Sequence, residues 1–154
     1  MATSADRQAF EARFLAGLRL GDPRANPFTL AGSFSVTFDG TTCADEAPDT
    51  LAAGDWMIRV DVTDVTPGAT TVVAVAKFHE GSGWDDMLEY DRTAADPTVQ
   101  PSFVDVAAYT VVEGPGSTGL VASVTPGDYA IACLHFTGSE SLAYPGSGPF
   151  AVLP

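Results

Sequence analysis

The sequence predicts an all-β protein, built as a sandwich or a barrel of short strands. Apolar residues alternate with polar ones in several runs of five to ten positions, which is the period of a half-buried strand. Fifteen glycines and eleven prolines separate these runs, and such residues are typical of turns. A length of 154 residues with 45% hydrophobic content is enough for one domain with a substantial core.

Residues 1–32 are predicted to form an N-terminal helical arm and a linker. Phe10, Phe14 and Leu18 recur at every fourth position, so a helix places them on one side as an apolar stripe. The Gly-Asp-Pro sequence at residues 21–23 ends this segment. The stripe has two interpretations, packing on the chain's own domain or docking on a partner subunit or larger surface, and the sequence leaves both open.

Residues 33–154 are predicted to form the β-domain. Strands are expected at residues 33–38, 56–62, 70–79, 103–112, 120–124, 129–136 and 150–153. One short helix is expected at residues 84–90, capped by Ser82. Residues 114–119 match the pattern G-x-G-x-x-G, but a strand rather than a helix follows them, so they predict a turn and not a dinucleotide site.

The charge of the chain makes nucleic acid a poor partner. The net charge is −13, and beyond residue 24 the only basic side chains are Arg59, Lys77 and Arg92. Binding to a phosphate backbone depends on lysine and arginine. No apolar run reaches the length of a membrane span. The first residues show no secretory signal pattern, which leaves a mature exported form and an internal protein both open.

Residues 124–133, in which a Pro-Gly turn leads into Tyr-Ala-Ile-Ala-Cys, resemble a bacterial cupredoxin-like group of secreted and envelope domains. Residues 148–152 are similar to the closing strand of that group. Residues 48–54 and 78–88 agree with it in order. The resemblance covers roughly residues 33–154 and implies a Greek-key β-sandwich of the cupredoxin-like class.

Cys43 and Cys133 are the only cysteines. The residues alone allow two free thiols in a reduced cell or a disulfide in an oxidising compartment. Residues 37–43 are similar to secreted members of the group that pair an early cysteine with the late one. The resemblance therefore implies a Cys43–Cys133 disulfide.

A blue-copper site needs two histidines, a thiolate and usually a weak axial methionine. His79 and His135 are the only histidines, and no methionine follows Cys133. Copper-binding members of the group place a loop between the cysteine and the next ligand, whereas His135 follows Cys133 by two positions. We therefore expect a relative that lacks the copper ligand set and takes no cofactor, with His79 and His135 as a weak alternative metal pair.

Acidic side chains crowd the predicted short helix at Asp85, Asp86, Glu89 and Asp91. Calcium prefers such oxygen ligands, but these positions do not have the spacing of an EF-hand loop. They predict a solvated acidic surface.

No catalytic pattern stands out. The sequence has no G-x-S-x-G nucleophile elbow. The neighbouring carboxylates Asp85 and Asp86 would diverge on a helix, unlike an acid–base pair that flanks one bond. We therefore expect a protein that is not an enzyme.

The first functional hypothesis is a non-catalytic binding or structural module, secreted or in the cell envelope, with a protein partner. Its expected working surface carries Trp84, Met87 and Tyr90, which would otherwise fill the core beneath the short helix. The second hypothesis is a surface subunit of a larger assembly, such as a capsid or cell-wall layer, docked by residues 1–32. That protein would be found in a virion or the cytoplasm. Copper binding is the third.

Overall fold

The structure is a computed structural model that describes residues 29–154. The predicted arm, with its stripe of Phe10, Phe14 and Leu18, lies outside the described residues. The first described strand begins at Leu30, three positions before the predicted start of the β-domain.

Within residues 29–154, ten strands and one helix form two facing sheets. The elements are β1 (Leu30–Phe38), β2 (Cys43–Asp45), β3 (Thr50–Ala52), β4 (Gly54–Val62), β5 (Thr70–Phe78), α1 (Trp84–Thr93), β6 (Val104–Glu113), β7 (Gly116–Val124), β8 (Gly127–Phe136), β9 (Ser141–Pro145) and β10 (Phe150–Leu153). The smaller sheet has the order β2-β1-β4-β7, and the larger has the order β3-β10-β8-β5-β6 with β9 beside β8. The predicted all-β Greek-key sandwich is confirmed.

The core lies between the sheets, where the long strands bury the side chains of their inner faces. On β4, Ile58 and Val60 are buried, whereas Arg59 between them is exposed. On β8, Ile131 and Cys133 face the same core. This period of two is the pleat of a strand with one face on a core.

Three short strands were not predicted from the sequence. They are β2, β3 and β9, with three, three and five residues. Cys43 begins β2 and pairs with Phe38 of β1. So few residues show no measurable alternation, and the neighbouring strand decides their conformation.

The G-x-G-x-x-G stretch is a turn between two strands, as predicted. β6 ends at Glu113 and β7 begins at Gly116. Gly114 has a φ of 65°, a value that side-chain-bearing residues rarely adopt. Its N–H donates to the Ala69 carbonyl at 2.7 Å, which holds this turn against the turn before β5.

The short helix α1 begins at Trp84, as predicted, but its N-cap residue is Gly83 and not Ser82. The Asp86 carboxylate accepts the Gly83 N–H at 2.8 Å, while the Ser82 N–H donates to the His79 carbonyl. α1 continues to Thr93, three residues beyond the predicted end.

No helix among the described residues is long and apolar enough to cross a membrane.

Candidate functional site

Helix α1 and the loop after it lie across the outer face of the larger sheet. Met87 is 5% exposed and belongs to a second apolar cluster, separate from the main core. Trp84 is half-buried against the same cluster. The other buried members of this cluster are Ala76, Phe78, Val104 and Ala130. Two of the three residues predicted as a working surface thus anchor α1 to the sheet.

A mostly apolar pocket of about 90 Å³ opens beneath α1. Small side chains leave this space, since Ala74, Ala76 and Ala132 stand where the sheet faces the helix. The remaining lining residues are Leu134 of the sheet, Met87 and Asp91 of α1, Val104 and Val106 of β6, and the loop residues 97–101. A water molecule needs only about 10 to 15 Å³ of such space, so the pocket has room for a small ligand.

Asp91 is the one ionisable side chain among the described residues that line the pocket. One of its carboxylate oxygens is buried and has no hydrogen-bond partner among those residues. Burial raises the pKa of Asp91 from 3.8 to about 6, because a desolvated carboxyl favours its neutral form. An unpaired buried oxygen in an apolar wall is the most unusual polar group of the described chain.

Tyr90 orders the rim of the pocket. Its hydroxyl donates to the Val99 carbonyl at 2.6 Å, and its ring meets Phe103 edge-on with centroids 6.1 Å apart. The Gln100 side chain donates to the Val104 carbonyl at 2.9 Å. The third predicted surface residue therefore holds the loop over the pocket.

The solvated acidic surface predicted for α1 is wrong at one position. Asp85 and Glu89 are exposed, but Asp91 is half-buried, lines the pocket and has one buried oxygen. The spacing contained this information, since Asp91 follows Trp84 by seven positions and Met87 by four. Those intervals place it on the apolar side of a helix.

The two histidines lie at opposite ends of β5. His135 pairs across from Thr71, and its Nδ1 lies 3.3 Å from the Thr71 hydroxyl. His79 follows the other end of β5, with Nε2 3.0 Å from a carboxylate oxygen of Asp105. Eight residues of strand separate these ends by about 26 Å. The structure does not bring the weak alternative pair together.

The cysteines form the disulfide that the resemblance implied. Cys43 and Cys133 are bonded, with Cα atoms 5.8 Å apart, so no thiolate is free beside His135. These residues do not fit a blue-copper centre, which needs the thiolate and both imidazoles around one ion. In residues 29–154, no three histidine, cysteine or acidic side chains converge as a metal-binding group.

Comparison with known proteins yields weak structural likenesses. No protein-family profile matches the chain, and no curated protein matches its sequence. Reduced auracyanin from Roseiflexus castenholzii is similar at 14% identity and a TM-score of 0.40, over 78% of this chain and 99% of that one. Auracyanin A, a "blue" copper protein of Chloroflexus aurantiacus, is similar at 12% identity and a TM-score of 0.40, over 75% of this chain and 98% of that one.

An azurin from Methylomonas sp. strain J has 12% identity and a TM-score of 0.40, over 75% of this chain and 96% of that one. The two-sheet sandwich of the chain is established by its own strand pairing. Likenesses at a TM-score of 0.40 carry no argument about function, and the ligand has to be argued from the residues of the site.

Proposed function

We propose that this chain is a non-catalytic binding module that takes a small, largely apolar ligand in the pocket beneath α1. The observation that carries the proposal is the pocket itself, a space of about 90 Å³ walled mainly by alanine, valine, proline and methionine, with Asp91 as the one ionisable residue of its described lining. Binding sites combine mainly apolar walls with a few placed polar groups. The volume suits a small ligand, or the small apolar end of a larger one.

The composition of the pocket supports binding rather than catalysis. General acid–base chemistry needs a group placed to give or take a proton at the reacting bond, and most such sites use two partners. Asp91 has no second ionisable group beside it among the described lining residues. A lone carboxylate in an apolar wall orients and selects a ligand.

The disulfide supports a secreted or cell-envelope location. Disulfides persist in oxidising compartments and are rare in the reducing cytosol. The bond between Cys43 and Cys133 joins the two sheets, so the stability of the binding domain would depend on that environment. The strongly negative chain would also resist association with other acidic molecules. The protein partner expected from the sequence stays a prediction.

Methyl NMR tests the proposal, with n-butanol as a neutral probe and n-butylamine as a charged one. We expect at least one of them to shift the Met87 and Ala132 methyl signals in a saturable way. Ala132→Leu fills the pocket and should remove that response, because the added atoms occupy the ligand's space.

Ala107→Leu is the matched control, since Ala107 is exposed on β6 and does not line the pocket. This variant should bind as the wild type does. If neither probe saturates the Met87 and Ala132 signals, the pocket is not a binding site and the proposal is wrong.

A further inference from the structure

We propose that residues 6–20 dock as a helix on the outer face of the larger sheet of their own chain, beside α1. These residues lie outside the described part of the chain, so their side of the contact is argued from sequence and the receiving side from structure. The docking is independent of the ligand-binding function proposed above. It follows from the apolar outer face of the larger sheet, from the charge of the two parts, and from the length of the linker.

The central strands of the larger sheet are apolar on both faces. Val73 and Val75 of β5 face the main core. The outward residues of β5 are Val72, Ala74, Ala76 and Phe78, and those of β8 are Ala130, Ala132, Leu134 and Phe136. A strand with one solvated face alternates apolar and polar residues, whereas a strand covered on both faces does not. β5 and β8 therefore have the sequence of strands that are covered on both sides.

The smaller sheet does not share this pattern. Its central strand β4 directs Asp55, Arg59 and Asp61 outward. The hydroxyls of Ser123 and Ser117 on the neighbouring β7 donate to Asp55 and Asp61, respectively. Such a polar outer face is stable in water without a cover. The difference between the sheets singles out the outer face of the larger one.

Helix α1 covers only part of that outer face. Beyond it, Val72 lies opposite Val111 of β6 and Leu134 of β8, and Leu134 lies opposite Ala143 of β9. We call Val72, Val111, Leu134, Phe136 and Ala143 the open apolar face. None of these five residues belongs to the cluster that α1 covers, and Val111 is 47% exposed. Strands about 4.8 Å apart give the row a width of about 14 Å, enough for one helix of about 10 Å diameter.

The N-terminal segment has a matching surface and can reach this face. The stripe of Phe10, Phe14 and Leu18 extends over about 12 Å of helix. Residues 21–29 join it to β1, and nine extended residues span up to about 30 Å. Facing sheets lie about 10 Å apart. The linker is therefore long enough to bring the stripe from the smaller sheet to the far side of the larger one.

Charge favours the chain's own N-terminal segment over a second copy of the domain. Residues 1–24 hold four arginines against three acidic side chains, whereas the rest of the chain holds three basic side chains against 17 acidic ones. Glu113 is exposed and lies opposite Thr70, in the row next to Val72 and Val111. Two such acidic domains repel each other, while a segment that carries arginines is attracted to this border.

Methyl NMR of the full chain tests the docking. In the wild type we expect NOEs from the ring protons of Phe10 and Phe14 to the methyl groups of Val72 and Val111. Phe14→Glu should abolish the Phe10 NOEs and shift both valine signals, because a charged side chain opposes burial in an apolar contact. Ala16→Glu is the matched control, since residues two positions apart point to different sides of a helix, and it should keep the NOEs.

A second pair of variants tests the contact from the sheet. Val111→Glu should abolish the NOEs between Phe14 and Val72. Val121→Glu should keep them, because Val121 is a comparably exposed valine on β7, the edge strand of the smaller sheet. The methyl signals of Ile58, which is buried in the main core, report whether each variant is folded. If Val111→Glu does not fold, the wild-type NOEs and Phe14→Glu decide.

Absence of the NOEs from the wild type would overturn the docking, and so would their loss in both Phe14→Glu and Ala16→Glu. A sample that mixes labelled and unlabelled chains separates the chain's own segment from that of a second copy. NOEs found only between molecules would overturn the assignment to the same chain and make the face a contact between copies. Val72 and Val111 do not line the pocket beneath α1, so a failure of ligand binding there leaves this result unchanged.

Discussion

Cys43 on the smaller sheet is bonded to Cys133 on the larger sheet, so one covalent link crosses the core between the two layers. The Cα atoms are 5.8 Å apart, and 90 positions separate the residues in sequence. Both side chains are buried in the main core. The bond therefore closes a loop that contains most of the sandwich, and it restricts the unfolded chain more than the folded one.

Replacing both cysteines by alanine should lower the free energy of unfolding by about 4 to 5 kcal/mol, the value that loop-closure entropy predicts for this separation. Urea unfolding at pH 7, with and without reductant, measures the effect. Reduced wild type should unfold near the midpoint of the double variant. An oxidised wild type with the same midpoint as the variant would contradict the prediction.

Tyr129 forms a reciprocal pair of hydrogen bonds with the backbone of Thr125. The tyrosine hydroxyl accepts the Thr125 N–H at 3.0 Å and donates to the Thr125 carbonyl at 2.9 Å. Tyr129→Phe leaves both backbone groups without this partner, so we expect a loss of about 1 to 2 kcal/mol in urea unfolding. Tyr109→Phe is the control, because Tyr109 is 63% exposed, and it should change stability by less than about 0.5 kcal/mol. Equal effects of the two substitutions would refute the role of the Tyr129 hydroxyl.

The long strands could be predicted from their own residues. β4 alternates buried and outward residues from Trp56 to Val62, because one face of the strand packs on the core and the other does not. The short strands β2 and β9 carry no such signal. Their conformation comes from antiparallel pairing with the strands that directly precede them, β1 and β8, and three to five residues are too few to show an alternation of their own.

The pocket could be predicted only in part. Met87 and Asp91 share one side of α1 by their spacing alone. Ala74 and Ala132 come from strands separated by more than fifty positions, and they become neighbours only through the pairing of β5 with β8. No local sequence pattern predicts that these two alanines and Asp91 line the same pocket. That relationship belongs to the tertiary structure.

Gly114→Ala should destabilise the protein by about 1 to 2 kcal/mol. The residue has a φ of 65°, and an added Cβ would lie 3.0 Å from the carbonyl oxygen of Pro67, so both the backbone and the contact become strained. Thermal unfolding measures the loss. Gly68→Ala in the neighbouring turn meets no atom within 4 Å and should be neutral or slightly stabilising. An equal loss in both variants would contradict the explanation by backbone conformation.

Asp91→Asn should make the protein more stable at neutral pH but not at acidic pH. Burial raises the pKa of this carboxyl to about 6 in the folded state, above its ordinary 3.8. Between these values the folded state binds more protons than the unfolded state, so the unfolding free energy falls as the pH rises from about 4 through about 6. Asparagine does not titrate and removes this loss.

The gain from Asp91→Asn should grow from near zero at pH 4 to about 1 kcal/mol at pH 7.5. The value is smaller than the full pKa shift implies, because Asp91 is only half-buried and solvent screens it. Urea unfolding of the wild type and of Asp91→Asn at the two pH values measures the difference in their unfolding free energies. The carboxylates that both proteins share contribute equally to the two values, so their titration cancels. Asp85→Asn, which removes the same charge from an exposed position of α1, is the control. A gain that is the same at both pH values would mean that the Asp91 carboxylate is not desolvated by the pocket wall.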